Sequence, residues 1–273
     1  YPGAGPGNVL VTVGGAEANF LALWELVDPG DRVAPLLPAY GQTEGLARGL
    51  GAEVRPFWLE EERGWQPAPG AAAEAGGGTA RMLVVTHPNN PTGAVLSERA
   101  LEEIVEEAER SGAWLLSDEV YAGAEVAGEE TPTFWGRHER TLITGSLSKA
   151  YGLPGLRIGW LVGPEATIRE LWARKDYTTI APAALSDRMA AAALEPSHRR
   201  SLLERTRRIV RDNLELLERW LDARPGLFSY RPPDAGAICW VRYGLALNSS
   251  DLADRLRREK DVLVVPGDHF GMD

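Results

Sequence analysis

A lysine set among small hydroxyl residues, Ser146-Leu147-Ser148-Lys149, with an arginine eight positions further on, Arg157, has the most chemical content in this sequence. The segment follows the apolar run Thr141–Gly145, so Lys149 stands just past the end of an expected strand. A lysine there is expected to be withdrawn from bulk water, which lowers its pKa and frees the amine to form a Schiff base. Ser146 and Arg157 are suitable ligands for a phosphate. A carbonyl cofactor that also carries a phosphate is pyridoxal phosphate. The competing interpretation is an ordinary strand-to-helix turn with a solvated lysine, and three further segments weigh against it.

All three lie where other strands should end, the edge at which an open α/β sheet gathers its ligands. Val13-Gly14-Gly15-Ala16-Glu17 runs from a strand through glycines into a helix, and the N–H groups at that helix start form an anion site. His87-Pro88-Asn89-Asn90-Pro91-Thr92-Gly93 is a loop stiffened by two prolines, able to hold Asn90 with its amide toward a phenolate oxygen. His87 has no visible partner and reads as structural. Ser117-Asp118-Glu119-Val120-Tyr121 ends a buried strand with a carboxylate, which is costly unless a cation pairs with it. A protonated pyridine nitrogen is such a cation, and Tyr121 could reach the ring oxygen beside Asn90.

The elements that must position these residues alternate. Strands are expected at Val9–Val13, Val33–Leu37, Glu53–Trp58, Met82–Thr86, Ala113–Asp118, Thr141–Thr144 and Ile158–Val162, short and apolar as in sheets covered on both faces. Helical patterns fall between them at Ala16–Val27, Gly41–Leu50, Glu98–Glu109 and Pro164–Lys175. The stretch Pro67–Thr79, rich in alanine and glycine, reads as a surface connection. A long amphipathic helix over Arg199–Ala223 then leads to strands at Leu227–Tyr230, Ala237–Tyr243 and Val262–Val265 around a helix near Asp251–Glu259. This is an α/β fold, with a three-layer α/β/α large domain on a mostly parallel seven-stranded sheet (residues 1–198). Residues 199–273 form the long helix and an incomplete α+β small domain.

The 273 residues, 44% of them hydrophobic, can bury a sizeable core. A net charge of −10 disfavours nucleic acid and anionic membranes as partners, and no apolar run is long enough to span a bilayer. The single cysteine, Cys239, cannot form an internal disulfide, which fits a cytoplasmic location. No metal site is expected.

With its four segments in this order, the sequence resembles the class I/II aminotransferases, enzymes of pyridoxal-phosphate fold type I, along essentially its whole length. The resemblance rests on Asn90-Pro91-Thr92-Gly93, on Asp118-Glu119-Val120-Tyr121 and on Ser146-Leu147-Ser148-Lys149 with Arg157. It implies transfer of an amino group from an amino acid to a 2-oxo acid, with Lys149 carrying the cofactor as an aldimine and then moving the substrate proton. Asp118 would pair with the ring nitrogen, and Asn90 and Tyr121 would bond the ring hydroxyl. Ser146, Arg157 and the backbone at Gly15 and Ala16 would hold the phosphate. Tyr40, in Pro38-Ala39-Tyr40-Gly41, matches an aromatic ring stacked on the cofactor, whereas the family often has a hydroxyl residue at the Ala16 position. The family also implies a homodimer with shared active sites, and Asp176–Pro182 resembles the loop that reaches the neighbouring site.

The same apparatus serves lyases, decarboxylases and cyclases, and aminotransferase-like effector domains occur in transcriptional regulators, although no basic DNA-binding segment is present here. The start at Tyr1 without methionine and the ending at Val265–Asp273 carry the further expectation of a fragment. Such a fragment would lack the N-terminal arm and the arginine that binds the substrate carboxylate.

Overall fold

The computed structural model describes residues 1–272, so Asp273, the last residue of the expected small domain, lies outside the described residues. Three connected runs build the first half. These are β1 (Val9–Thr12), α1 (Gly15–Leu26), β2 (Arg32–Leu37) and α2 (Gln42–Gly49); β3 (Glu53–Val54), β4 (Phe57–Glu60), β5 (Gln66–Pro67) and α3 (Ala71–Gly76); then β6 (Met82–Thr86), α4 (Glu98–Ser111) and β7 (Trp114–Asp118). The chain continues through β8 (Thr141–Ser146), β9 (Gly159–Val162), α5 (Glu165–Lys175), α6 (Ala184–Leu194) and α7 (Pro196–Asp222), and ends with β10 (Phe228–Tyr230), β11 (Val241–Tyr243) and α8 (Ser249–Lys260).

The main sheet runs in the order β1-β9-β8-β7-β6-β2-β4-β5, with β3 also on β2. β9 is antiparallel to both β1 and β8, and β5 is antiparallel to β4; the other pairs are parallel. The sheet therefore has nine strands where the sequence pattern predicts seven. Two short pieces account for the difference. The expected strand over Glu53–Trp58 breaks at Arg55-Pro56, where proline has no N–H to donate to a ladder, and Gln66–Pro67 folds back on β4.

The two-residue alternation of strands sorts the core into two layers. Met82, Val84, Leu116 and Leu142 pack against α1 and α5 through Leu21, Ala22, Leu26, Ile168 and Leu171. Leu83, Val85, Leu115 and Ile143 face the other way, onto Leu101, Ile104 and Ala108 of α4 and onto Phe134. By the same parity Asp118 and Thr144 fall on the α1 side, and Ser117 and Glu119 on the Phe134 side.

Elsewhere the structure departs from the sequence pattern in five places. Pro67–Thr79 contains α3, docked on α4, rather than an unstructured connection. α6 is an extra helix whose alanine-rich sequence carries little amphipathic signal. Val262–Val265 is not a strand; all four side chains are exposed and no strand pairs with them among the described residues. Of the expected strand Ala237–Tyr243, only Val241–Tyr243 pairs, antiparallel to β10. α7 begins at Pro196, three residues before the expected start, and buries Leu203, Val210 and Leu221.

Two buried ionisable groups on the Phe134 side oppose each other in their effect on stability. His87 is fully buried edge-on to Phe134, and its Nδ1 accepts from Leu96 N–H at 3.4 Å. Its Nε2 makes no hydrogen bond of normal geometry among the described residues, although the Pro132 backbone lies near the ring. Burial holds the imidazole down to about 4, from an ordinary 6.5. Glu119 accepts from Phe134 N–H, Thr133 Oγ1 and Ser117 Oγ, yet burial pushes its carboxyl from 4.5 up to about 7. The histidine therefore contributes stability that is present above pH 6.5 and lost as the pH falls toward 4. The glutamate contributes stability that is present below pH 4.5 and lost as the pH rises through 7. Each span corresponds to about 3 kcal/mol, so the two offset one another between pH 4.5 and 6.5. Glu119→Gln removes one of them. Melting temperatures of that variant should climb with pH between 4 and 6.5 more steeply than those of the unaltered protein; parallel curves would contradict this account.

Candidate active site

The start of α1 forms one wall of the site. Gly14 is the residue before the helix and adopts φ +83°, in the left-handed region open to glycine. A Cβ at Gly14 would collide with the Arg157 guanidinium. Arg157 itself is held at φ +53°, an uncommon conformation for a residue with a Cβ, and such outliers cluster at ligand sites. Its Nη1 donates to Ser148 Oγ at 3.3 Å and to the Pro154 carbonyl at 3.1 Å. Ser146 is buried at the end of β8, and its Oγ accepts from Ser148 N–H at 3.2 Å. The first helical N–H groups, at Gly15 and Ala16, have no acceptor within the helix and point to the same place. Guanidinium, hydroxyls and helix start together make an anion cradle.

The opposite end of the site is built on β7. Asp118, only 8% exposed, accepts from Asn19 Nδ2 at 2.8 Å and from Val120 N–H at 3.3 Å, and makes no ion pair among the described residues. Burial raises its pKa, against the pull of those two bonds and of the Lys149 charge. Tyr121 follows one turn later. Asn90 Nδ2 donates to its hydroxyl at 3.3 Å, which leaves the phenolic proton directed onward. Burial and then the Asp118 charge raise the Tyr121 pKa, keeping the phenol protonated at neutral pH.

Lys149 Nζ lies 5.8 Å from the centroid of the Tyr121 ring. The expectation that this lysine is withdrawn from water is not met within this chain. Its side chain is exposed, because the loop after β8 carries it out onto the open end of the sheet. Tyr40, in the loop after β2, is also exposed at 54% and lies close enough to Tyr121 to raise its pKa slightly.

The Asn90 loop is fixed from two sides. Asn89 donates to the Pro38 carbonyl at 3.1 Å and accepts from Thr92 N–H and Thr92 Oγ1. From the far end of the chain, Asp234 and Ala235 N–H both donate to the Gly93 carbonyl, while Gly236 N–H donates to the Ala124 carbonyl beyond Tyr121. Pro233–Gly236 thus ties the Asn90 loop to the Tyr121 loop.

The structure therefore gathers Gly15, Ala16, Asn90, Asp118, Tyr121, Ser146, Lys149 and Arg157 at one end of the sheet, with Tyr40 at the rim. It adds residues that sequence reasoning passed over. Ser148 fixes Arg157. Asn19 holds Asp118 and in turn accepts from Thr144 Oγ1 at 2.8 Å. Its only signal in the sequence is an amide on the apolar face of α1. Glu17 accepts from Val13 N–H, Thr178 Oγ1, Thr179 Oγ1 and the buried Lys175, and so anchors Asp176–Pro182 to the start of α1. Burial works against the Glu17 charge, but these bonds outweigh it and lower the carboxyl pKa.

This set of donors fits pyridoxal phosphate group by group. The anion cradle is too tight for a Cβ at Gly14, a buried carboxylate has no ion pair among the described residues, an amide and a phenol converge, and a primary amine lies beside the phenol ring.

The model for aminotransferase class I and II matches residues 4–273. Capreomycidine synthase of Streptomyces vinaceus is 36% identical over 270 residues, spanning 98% of this chain and 68% of that protein. The aspartate/prephenate aminotransferase of Thermus thermophilus is 32% identical, spanning 97% and 69%. Among solved structures, a PLP-dependent aminotransferase from Streptococcus suis superposes with a TM-score of 0.92 at 36% identity, covering all of this chain and 72% of that one. Matched along nearly its whole length, the chain belongs to the class I and II aminotransferase family.

Proposed function

We propose that the protein is a pyridoxal-phosphate-dependent transaminase, moving an amino group from an amino acid to a 2-oxo acid, with Lys149 as the residue that carries the cofactor. The observation that carries this reading is the buried Asp118 carboxylate, which has no cation of its own and faces a site that also contains Lys149 and the Asn90–Tyr121 pair. When bound, pyridoxal phosphate supplies an electron-withdrawing ring that acidifies the α-hydrogen of an attached amino acid. Asp118 keeps a proton on the ring nitrogen, because separating a buried carboxylate from its only cation is unfavourable. Asn90 and Tyr121 hold the ring oxygen with two donors. Arg157, Ser146 and the backbone at Gly15 and Ala16 would bind the phosphate. Tyr40 covers one face. Lys149 Nζ takes the α-proton of the substrate and returns it one carbon away.

A second copy of the chain is proposed to cover Tyr177, Ile180, Leu185 and Met189, large apolar side chains all at least half exposed around the loop anchored by Glu17. No helix of the described residues is long and apolar enough to cross a membrane. The division at residues 198 and 199 is likewise proposed, on the antiparallel β10–β11 pair lying apart from the main sheet.

One observation favours a second reading: the relative at 36% identity is named a synthase. Lys149 and Asp118 would then do the same work, while the acidified substrate goes on to a lyase, decarboxylase or cyclase product. A screen of amino acids with a common 2-oxo acid separates the two, since transamination releases a keto acid in proportion to the new amino acid. A product from the donor with no new amino acid formed from the 2-oxo acid would favour the second reading.

Borohydride reduction of the loaded protein followed by peptide mapping should place the label on Lys149; a label elsewhere would rule out this assignment. Asp118→Asn keeps the shape but loses the charge, so turnover should fall about a hundredfold or more while the Lys149 label persists. Gly14→Ala should weaken pyridoxal phosphate binding about tenfold or more, measured by equilibrium dialysis, because the new Cβ displaces Arg157. Retained affinity would show that the cradle is not the phosphate site.

A further inference from the structure

Asp118 does not stand alone at the end of β7. Asn19, 2% exposed and one turn into α1, donates to Asp118 Oδ2 at 2.8 Å. An amide can present either its oxygen or its nitrogen, and an ionised carboxylate, which only accepts, takes the nitrogen. Thr144, fully buried on β8, donates its hydroxyl proton to Asn19 Oδ1 at 2.8 Å. That bond holds the amide in the orientation in which Nδ2 faces the carboxylate. The register explains the meeting. Asp118 and Thr144 are paired neighbours in the parallel β7–β8 ladder, and both side chains rise on the α1 face. Gly15 and Asn19 are four residues apart, so they share one face of α1. A Cβ at Gly15 would touch Val120, Thr144 and Ser146, which places this face directly over the ends of β7 and β8.

We infer that Asn19, locked by Thr144, is a positioning residue that aims the Asp118 carboxylate at the ring nitrogen of the cofactor and stabilises its charged form. This rests on the proposal that the site binds pyridoxal phosphate. The helix whose first turn holds the phosphate also carries, one turn on, the amide that holds the partner of the ring nitrogen. Both ends of the ring are thereby referred to a single rigid element. Two alternatives for Asn19 are less consistent with these contacts. A core asparagine is hydrogen-bonded wherever it is buried, but one of these two bonds goes to the carboxylate that faces the site. As a helix cap it would sit at the first turn with its side chain on the backbone, whereas its bonds go to two different strands.

The test uses the protein loaded with ring-labelled pyridoxal phosphate and reads the NMR shift of the ring nitrogen, which differs between protonated and unprotonated pyridine. The unaltered protein is first checked for covalent loading at Lys149. If it takes no cofactor, the cofactor reading fails and this inference falls with it. If it loads, the variants address Asn19 alone. Asn19→Leu should retain the label at Lys149 but bind the ring proton about tenfold more weakly, moving the signal toward unprotonated pyridine at neutral pH. Thr144→Val should move it the same way by less, and Thr144→Ser, which keeps the hydroxyl, should leave it in place. A purely structural role for Asn19 would lower the melting temperature without moving the signal. Should Asn19→Leu fail to fold, the contrast between Thr144→Val and Thr144→Ser decides. A ring-nitrogen signal identical in Thr144→Val and in the unaltered protein would overturn the inference.

Discussion

A carboxylate buried at the end of a central strand without a cation of its own is costly, and must be met either by hydrogen bonds or by a cation from outside. Asp118 is that group, and much of the surrounding structure is arranged around it. Parity on β7 puts it on the α1 side, while its neighbour Glu119 projects to the other side of the sheet and is satisfied there by Ser117, Thr133 and Phe134. Two adjacent acids thus occupy separate environments. Glu119 is bonded on the Phe134 side and its carboxyl is raised to about 7. Asp118 receives a single strong side-chain donor, a longer backbone bond and the more distant Lys149 charge, which leaves it able to pair with a cation from outside.

α1 connects the parts. Within its first five residues it provides the start of the anion cradle at Gly15, the anchor for the Asp176–Pro182 loop at Glu17 and the partner of Asp118 at Asn19. The Glu17–Lys175 pair is almost fully buried and reinforced by two threonine hydroxyls, so the loop with exposed Tyr177 and Ile180 is tied to the same helix. Any displacement of α1 would disturb cradle, carboxylate and loop together. That shared dependence acts through Gly15, Glu17 and Asn19, three positions in the first turns of one helix.

The chemistry was more legible in the sequence than its supports. Asn90, Asp118, Tyr121, Lys149 and Arg157 stand out because unusual residue types recur after apolar runs, and the parallel strands place those positions at one edge. Asn19 and Thr144 leave no such mark, since one reads as a helix residue and the other as a strand residue, and their meeting depends on how α1 lies over the sheet. Lys149 carries the expectation of burial because it stands just past a strand among small hydroxyl residues; the local sequence says nothing of how far the loop carries it outward. α6 was missed because runs of alanine are compatible with helix but carry no face, and Val262–Val265 was read as a strand because apolar β-branched residues have the propensity without the partner. Composition can suggest an element, but only a neighbour completes it.

The site also depends on a segment far from its motifs. Pro233–Gly236 hydrogen-bonds to the Gly93 and Ala124 carbonyls, and the Asp234 side chain accepts from Val95 N–H at 3.0 Å. Gly236 adopts φ +81°, and a Cβ there would lie 3.1 Å from the Tyr121 ring, so glycine is required both by its backbone and by the phenol beside it. The two loops that present Asn90 and Tyr121 are therefore joined only after more than a hundred further residues have been placed. Loop-closure entropy makes such long-range contacts late ones. The anion cradle and the Asp118 pocket are no less long-range, since Gly14 meets Arg157 and Asn19 meets Asp118 and Thr144, so both ends of the site close only when distant parts of the chain are in place.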